Sequence, residues 1–544
     1  MIGQSIHDPK INVQLCNVVP RQGKTAMICS MEKIFRTLQS SPHFILIAIL
    51  LFAFVLRLPH LGGSFWLDEA AQALESRRPL AQQLQIVDDF QPPLIHLLVH
   101  FALYLGEAEW WLRTIAALIP GLVTIAALYF IAKAQGLAKY ASIPALLLAT
   151  SSFHIFYSQE LRPYSLPAMW AVLGWLSMTH LTVKKQKHSL RWLVAWTVCN
   201  ALGLYSSYMY PFAFFGQIVY LLAARRKPRA ILATLGAGAI AAATFFPWLP
   251  SFLAQLRAGQ TLRTDLPGWE TVVSFTQLKA LALTGGKFLF GVLDLSAHPL
   301  YLVSTAVVVA ATSYILWSAW VHDRKHLWKQ LTVFSCWVVL PILAAWCVSF
   351  WVPVVQPKRV LFALPGMYLF LGWLTAHAGS GSVQTRTRMI AGVLAGALLT
   401  INLVSTFSYY VLPKYQRENW RDIHAFITQK YSREDAVVVF AFPAPFASWE
   451  WYNRQSSYPT HATGSYVVSN DPTSPERVRL KTLTTNDFIL VFEYLRDITD
   501  PGRQIEKDLE RYGYAEVDRI TPDTPIGIIK VYAKTGQILG YSEY

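Results

Sequence analysis

Two neighbouring carboxylates, Asp68 and Glu69, stand in the run Phe65-Trp66-Leu67-Asp68-Glu69-Ala70, directly after the first long apolar segment of the chain. Acids placed where apolar sequence ends are costly to desolvate and call for a chemical reason. A carboxylate held there can take a proton from a hydroxyl, hold a cation or steer a base. A second pair, Glu160 and Arg162, lies in Tyr157-Ser158-Gln159-Glu160-Leu161-Arg162-Pro163-Tyr164, again between apolar stretches, where acid and base are expected to act as one unit. Asp88, Asp89 and Gln91 fall near the first pair, and Arg57, Arg113, Lys358 and Arg359 fall at ends of apolar segments. Taken singly, most have plainer accounts. Arg57, Arg113 and Lys358 fit side chains snorkelling toward headgroups. Asp88 and Asp89 fit a solvated loop pair or a helix cap, and Tyr157, Tyr164, Tyr205 and Tyr208 fit an aromatic belt. His96 and His100 match a metal-ligand spacing, but on an apolar face that spacing also suits satisfied core histidines. The plain account is weakest for Asp68 with Glu69 and for Glu160 with Arg162, because a structural role in apolar surroundings needs no carboxylate.

The elements that must position these residues are membrane helices. Of 544 residues, 53% are hydrophobic, 14% aromatic and 15% charged. The apolar blocks, about 15 to 23 residues each, are mostly long enough to cross a hydrocarbon core of ~30 Å. A polytopic α-helical membrane protein is therefore expected. The net charge is +15, yet residues 413–544 hold 16 Lys+Arg against 18 Asp+Glu, so the basic excess belongs to the membrane portion and its short loops. That makes it a topology signal and argues against a nucleic-acid partner. The five cysteines, Cys16, Cys29, Cys199, Cys336 and Cys347, show no metal-ligand spacing, so neither a disulfide framework nor a zinc site is implied.

Residues 1–42 read as a cytoplasmic tail, with 1–30 either disordered or upstream of a start at Met31. Crossings are expected at 44–58, 112–132, 139–154, 164–182, 192–206, 209–224, 230–250, 299–320, 330–351, 360–377 and 389–411. Basic clusters at Lys184-Lys185-Gln186-Lys187, Arg225-Arg226-Lys227, Arg324-Lys325 with Lys329, and Arg386 with Arg388 fall in every second connection, as the positive-inside rule requires. Eleven crossings that begin inside leave the C-terminus outside. Residues 92–106, opened by Pro92-Pro93, would break this parity if they spanned. They are expected to form an interfacial or re-entrant helix on the outer side. On this plan Asp68, Glu69, Asp89, Gln91, Glu160, Arg162, Tyr164, Lys358 and Arg359 all converge on the outer face, as one site.

These motifs carry a family resemblance. Trp66-Leu67-Asp68-Glu69, followed by Asp89-Phe90-Gln91-Pro92-Pro93-Leu94, resembles the first outer loop of the GT-C glycosyltransferases related to protein O-mannosyltransferases, lipid A aminoarabinose transferase and rhizobial lipopolysaccharide glycosyltransferases. Glu107-x-Glu109-Trp110-x-x-Arg113, the Ser158-Gln159-Glu160-Leu161-Arg162-x-Tyr164 element and Arg359-Val360-Leu361-Phe362-Ala363-Leu364-Pro365 are similar to later family elements in the same order. Two departures are Gln91, where the family usually has His, and Tyr205-Ser206-Ser207-Tyr208, where it often has Tyr-Thr-His-Tyr.

The resemblance implies a GT-C fold of about 11 to 13 transmembrane helices over 43–412, and a multi-pass plasma or inner membrane protein. It implies a hexosyl- or pentosyltransferase that draws its sugar from a polyprenyl- or dolichyl-phosphate donor, because nucleotide sugars are not expected outside the cytoplasm. Its acceptor would be an extracytoplasmic glycan, lipid or protein. Asp68, with Glu69, would be catalytic, Asp68 as the base of an inverting single displacement. Arg162, Arg359, Arg113 and Lys358 would bind the donor phosphate. Glu160, Asp89, Gln91 and Tyr164 would position the reactants, and a divalent metal cation is left open. Residues 413–544 read as a small extracytoplasmic α/β domain, with strands near 436–440, 488–492 and 526–532 and helices over 420–430 and 503–511. The long loop 259–298 suits a lid or an interfacial helix. Rival readings are a flippase of lipid-linked sugars, which should show midplane charges and internal repeats, and a non-catalytic scaffold, which needs neither acid pair.

Overall fold

Backbone polar groups in hydrocarbon must be satisfied within their own segment, so the apolar runs are helices. The computed structural model describes residues 42–535 except 87–88, 138–139, 183–188, 225–226, 267–276, 295–298, 353–354, 379–384, 444–445, 465 and 524. The expected tail through residue 41, Asp88, and the basic clusters at 184–187 and 225–226 lie outside the described residues. Each of the eleven expected crossings falls on a helix. Six, among the described residues, are long and apolar enough to cross a membrane: Glu109–Leu137, Pro228–Thr261, Pro299–His322, Arg324–Val348, Pro357–His377 and Thr385–Val411. Phe44–Val55 and Tyr210–Ala224 are shorter apolar helices.

The helix Leu94–Leu103 has ten residues. At 1.5 Å per residue it covers about half a hydrocarbon core, too short to span by itself. Instead Ile95, Val99 and Ala102 pack with Phe65, Ala70 and Ala73 around the helix Leu67–Ser76, which carries Asp68 and Glu69.

Two long helices widen to π turns, at Thr114–Leu118 and Ser335–Val339, each just ahead of a proline, Pro120 and Pro341. A proline offers no N–H and its ring displaces the carbonyl four residues back, which widens the turn before it. The first π turn directly follows Arg113. Inside the bundle Trp175 stacks on Trp337 at 4.6 Å. Gln217 accepts from Trp196 Nε1 at 2.8 Å and Asn200 Nδ2 at 3.0 Å and donates to Ala171 O at 3.1 Å, so buried polar groups there are paired. At Gly216 a Cβ would stand 2.1 Å from the Cys336 carbonyl, so only glycine lets those helices meet.

Beyond the last long helix the chain forms a five-stranded sheet in the order β2-β1-β3-β5-β4. β1 (Ala436–Phe440) and β3 (Phe488–Phe492) are parallel, apolar throughout and covered on both faces, as central strands must be. β2 (Thr460–Ala462) and β4 (Tyr514–Ile520) are the edges, and β5 (Ile529–Lys534) runs antiparallel to β3 and β4. The closing strand begins at Ile529 rather than Ile526. The two edge strands escaped the pattern because β2 is three residues long and β4 carries Glu516, Asp518 and Arg519.

This domain sits on the loops around Asp68 and Glu107. Trp451 and Ala447 share a core with Phe65 and Ala70. Tyr452 OH accepts from Phe65 N–H at 2.8 Å and donates to Glu109 at 3.0 Å. Arg454 pairs with Glu107 at 2.5 Å and Arg421 with Glu109 at 3.3 Å. Within the loop 259–298, the helix Gln277–Phe290 is tied to the bundle where Ser405 donates to Phe290 O at 2.7 Å.

Candidate active site

Asp68 and Glu69 begin one helix but face different surroundings. Glu69 is fully buried; its Oε1 and Oε2 accept from Arg113 Nε at 2.8 Å and Nη2 at 2.6 Å, and Oε1 also accepts from Leu161 N–H at 2.7 Å. Burial alone would raise its pKa, but the Arg113 charge and these bonds outweigh it and hold the carboxyl below its usual range. Arg113 donates its remaining N–H groups to the carbonyls of Leu61, Gly63 and Ser64 at 2.5 to 3.0 Å. All five of its donors are engaged. The expectation that Arg113 binds a donor phosphate is therefore corrected: it holds Glu69 and folds the Leu61–Ser64 turn, and it has nothing left to offer a ligand. Through Leu161, Glu69 fastens the Asp68 helix to the loop that carries Glu160 and Arg162.

The Asp68 carboxylate, half-buried in the first turn of that helix, has no hydrogen-bond or ion-pair partner among the described residues. It lies within electrostatic reach of Arg162, Lys358 and Arg359. Lys358 Nζ stands 5.5 Å from the Trp66 ring and 5.4 Å from the Tyr164 ring, in cation–π range. Tyr164 is buried and packs edge-on to Tyr157 at 5.1 Å, so the pair packs against protein rather than standing in a lipid-facing belt.

Glu160 and Arg162 do not form one unit. Arg162 reaches Asp89, at 3.4 and 3.5 Å, and the Asp68 carbonyl at 3.4 Å; its Nε has no partner among the described residues. These contacts are long beside those of Arg113, so Arg162 keeps donor capacity in reserve. Asp89 would be raised by burial, but the Arg162 charge and His96 pull it down to about 2. Glu160 is paired instead with Arg417, at 3.5 Å, from the segment that joins the two domains. Burial is the largest influence on Glu160 and, with Glu69 and Asp68 nearby, leaves its carboxyl above the usual range despite Arg417 and Lys358. Its Oε1 has no hydrogen-bond partner among the described residues.

Arg417 is the residue that sequence reasoning missed. It lies 4.3 Å over the Phe156 ring, donates to Phe156 O at 2.8 Å and sits 3.9 Å from Glu69, so it bridges Glu69 and Glu160. Its neighbour Glu418 accepts from Trp420 Nε1 at 2.6 Å and Tyr494 OH at 2.7 Å. Burial outweighs these donors and pushes the Glu418 carboxyl up to about 7. Both lie beyond the last apolar helix, where no motif marked them. Trp66, Phe156, Tyr157, Glu160, Lys358, Gln416, Arg417, Glu418 and Pro525 line a cavity of about 250 Å³ between the bundle and the sheet domain.

Gln91 is buried and its amide meets Gln72, Asp89 and His96; Gln72 Nε2 lies 2.8 Å from His96 Nδ1. His100 Nδ1 lies 2.8 Å from Ser76 O, a satisfied core histidine. Arg57 does not snorkel: it is fully buried, donates to the carbonyls of Ala53 and Ala149 and meets His154 Nδ1 at 2.8 Å. Potential metal ligands on Glu75, Asp89 and His96 lie within 4.8 Å of one another. Two carboxylates and an imidazole fit a divalent cation in type and number, although Asp89 and His96 are already partnered within the protein.

Residues 90–250 match the family model described as dolichyl-phosphate-mannose-protein mannosyltransferase, a segment that includes Glu160 and Arg162 and stops short of Asp68. No curated protein matches the sequence significantly. The fold is similar to that of ArnT from Cupriavidus metallidurans in the apo state, with a TM-score of 0.56 and 13% identity over 90% of this chain and 97% of that one. The same protein bound to undecaprenyl phosphate aligns at a TM-score of 0.54 with 14% identity over 90% and 97%. The Archaeoglobus fulgidus oligosaccharyltransferase tethered with an acceptor peptide aligns at 0.50, with 12% identity over 89% of this chain and 73% of that one. The resemblance to GT-C membrane glycosyltransferases thus holds in the fold, and in sequence over residues 90–250.

Proposed function

We propose that this chain transfers a hexose or pentose from a polyprenyl- or dolichyl-phosphate donor to a glycan, lipid or protein acceptor on the extracytoplasmic face of the cell membrane. The N-terminus is cytoplasmic and the sheet domain, residues 413–544, is outside. The observation that carries this reading is the unpartnered Asp68 carboxylate facing Arg162, Lys358 and Arg359.

In this reading Asp68 accepts the proton of the acceptor hydroxyl as that oxygen bonds to the anomeric carbon. The bond from that carbon to the phosphate oxygen breaks on the opposite face, and the electron pair leaves with the lipid phosphate. One displacement inverts the anomeric centre. The departing phosphate gains charge, which Arg162, with an N–H to spare, and Lys358 and Arg359 stabilise; each charge-assisted hydrogen bond contributes ~1.5–3 kcal/mol. Glu69 and Arg113 position the Asp68 helix. Glu160 is held by Arg417, while Asp89 and Gln91 steady Arg162 and His96. A divalent cation at Glu75, Asp89 and His96 would brace the same loop, and no step requires it.

A fold shared with a protein that binds undecaprenyl phosphate supports the lipid-linked donor. A flippase would place its charges near the midplane on broken helices, whereas here Asp68, Lys358 and Arg359 stand in the first turns of their helices and Arg162 in the loop between two others. Purified protein supplied with radiolabelled polyprenyl-phosphate sugars and a membrane extract should move label to the acceptor fraction and release polyprenyl phosphate. Lipid translocation without release would favour the flippase.

A further inference from the structure

The cavity between the bundle and the sheet domain is chemically unlike the cluster around Arg162 and Arg359. Its wall holds two acids, Glu160 and Glu418, and two bases, Lys358 and Arg417, beside the aromatic Trp66, Phe156 and Tyr157. The formal charges of this wall cancel, and its bases are already engaged, Arg417 by Glu160 and Lys358 by the Trp66 and Tyr164 rings, so it holds no excess cation that would select an anion. Glu160 is 1% exposed and keeps one carboxylate oxygen without a partner among the described residues. Such an oxygen calls for a donor from a ligand or ordered water. Trp66, on the cavity wall, lies two residues before Asp68 in the chain. Asp68 is also within electrostatic reach of Glu160 and Glu418.

We propose that this cavity is the acceptor subsite and that it takes a neutral sugar ring, stacked on Trp66, with hydroxyls donating to Glu160 and Glu418. A pyranose presents a face of C–H groups to an aromatic ring and several O–H donors at its rim, which matches an aromatic platform flanked by carboxylates. The acceptor is then a glycan or glycolipid rather than a peptide. Glu418 becomes a positioning and specificity residue supplied by the segment between the two domains. This inference rests on the proposed transferase activity.

The test uses the full chain in lipid nanodiscs, with three measurements: binding of radiolabelled polyprenyl phosphate, transfer from polyprenyl-phosphate sugars to the glycolipid fraction of the membranes, and transfer to a Ser/Thr-rich peptide. Wild type should bind the lipid phosphate and label the glycolipid fraction only. Glu418→Gln should raise the acceptor KM about tenfold, with a smaller change in kcat and unchanged polyprenyl phosphate binding, and Trp66→Ala should raise the acceptor KM by as much. Trp66→Phe, which keeps a flat face, should restore much of the loss. Labelling of the peptide, or an acceptor KM unmoved in both variants, would overturn the sugar subsite while leaving the transferase reading in place. Failure of wild type to bind polyprenyl phosphate or to transfer to either acceptor would overturn both.

Discussion

Arg113 and Glu69 form a fully buried two-pronged ion pair, at 2.6 and 2.8 Å, that joins the long apolar helix Glu109–Leu137 to the short helix carrying Asp68. The pair frees Asp68 from structural duty: its neighbour carries the bonds, and its own carboxylate is left without a protein partner among the described residues. Burying two charges is offset only when each is well bonded, and here both are.

Breaking the pair should therefore unfold more than it inactivates. Arg113→Ala leaves Glu69 charged, buried and bonded only through Leu161 and a distant Arg417, a change that costs ~3–5 kcal/mol. The expected result is a lower unfolding temperature and reduced folded yield. Arg113→Lys keeps the charge but loses the fork, so it should fall between the two. An Arg113→Ala protein of normal stability would contradict the structural role.

Arg359 tests the leaving-phosphate cluster. Arg359→Lys retains a cation and should lower transfer less than Arg359→Ala, for which ~10-fold or more is expected from the loss of one charge-assisted contact. Equal small effects in both variants, measured per folded protein, would remove Arg359 from the chemistry.

Glu418 predicts a pH dependence of stability. Its folded pKa, about 7, lies above the ordinary carboxylate value, because burial disfavours the charge more than Trp420 and Tyr494 can offset. The folded state then holds its proton more tightly than the unfolded state does. This contribution is fully present below about pH 4.5 and is lost as pH rises toward about 7. Glu418→Gln removes the titration, so its advantage over wild type should grow between pH 5 and 8 by an amount on the order of 1–3 kcal/mol. Thermal unfolding at several pH values checks this, and parallel curves would show that Glu418 is ionised throughout.

Orientation can be read directly. In a cysteine-free background, Thr473→Cys, on the exposed surface of the sheet domain, should react with an impermeant thiol reagent in intact cells, and Lys325→Cys should not. The reverse pattern would move the site to the cytoplasmic face.

Much of this was legible in sequence because membrane helices are apolar over their whole length, and because charge in such surroundings is conspicuous. Asp68, Glu69 and Glu160 stood out for that reason. Partner choice was not legible. Glu160 and Arg162 are two residues apart, yet one turns to Arg417 and the other to Asp89, since the turn after Tyr157 points them to different walls. Arg113 read as a helix-end base because its five acceptors come from residues 44 to 52 positions away. Arg417 and Glu418 lie in a polar stretch where charged residues are common, and only the docking of the sheet domain on Glu107 and Glu109 gives them a place in the site.

The central claim is that Asp68 is the base of a lipid-phosphate-dependent sugar transfer, and Asp68→Asn tests it most directly. Asparagine keeps the shape and removes the proton-accepting oxygen. With radiolabelled polyprenyl-phosphate sugar and membrane acceptor, the variant should insert, fold and bind polyprenyl phosphate as wild type does. Its transfer should fall ~10²-fold or more, the usual scale for losing a general base. Transfer at near-wild-type rate by the well-folded variant would contradict the account.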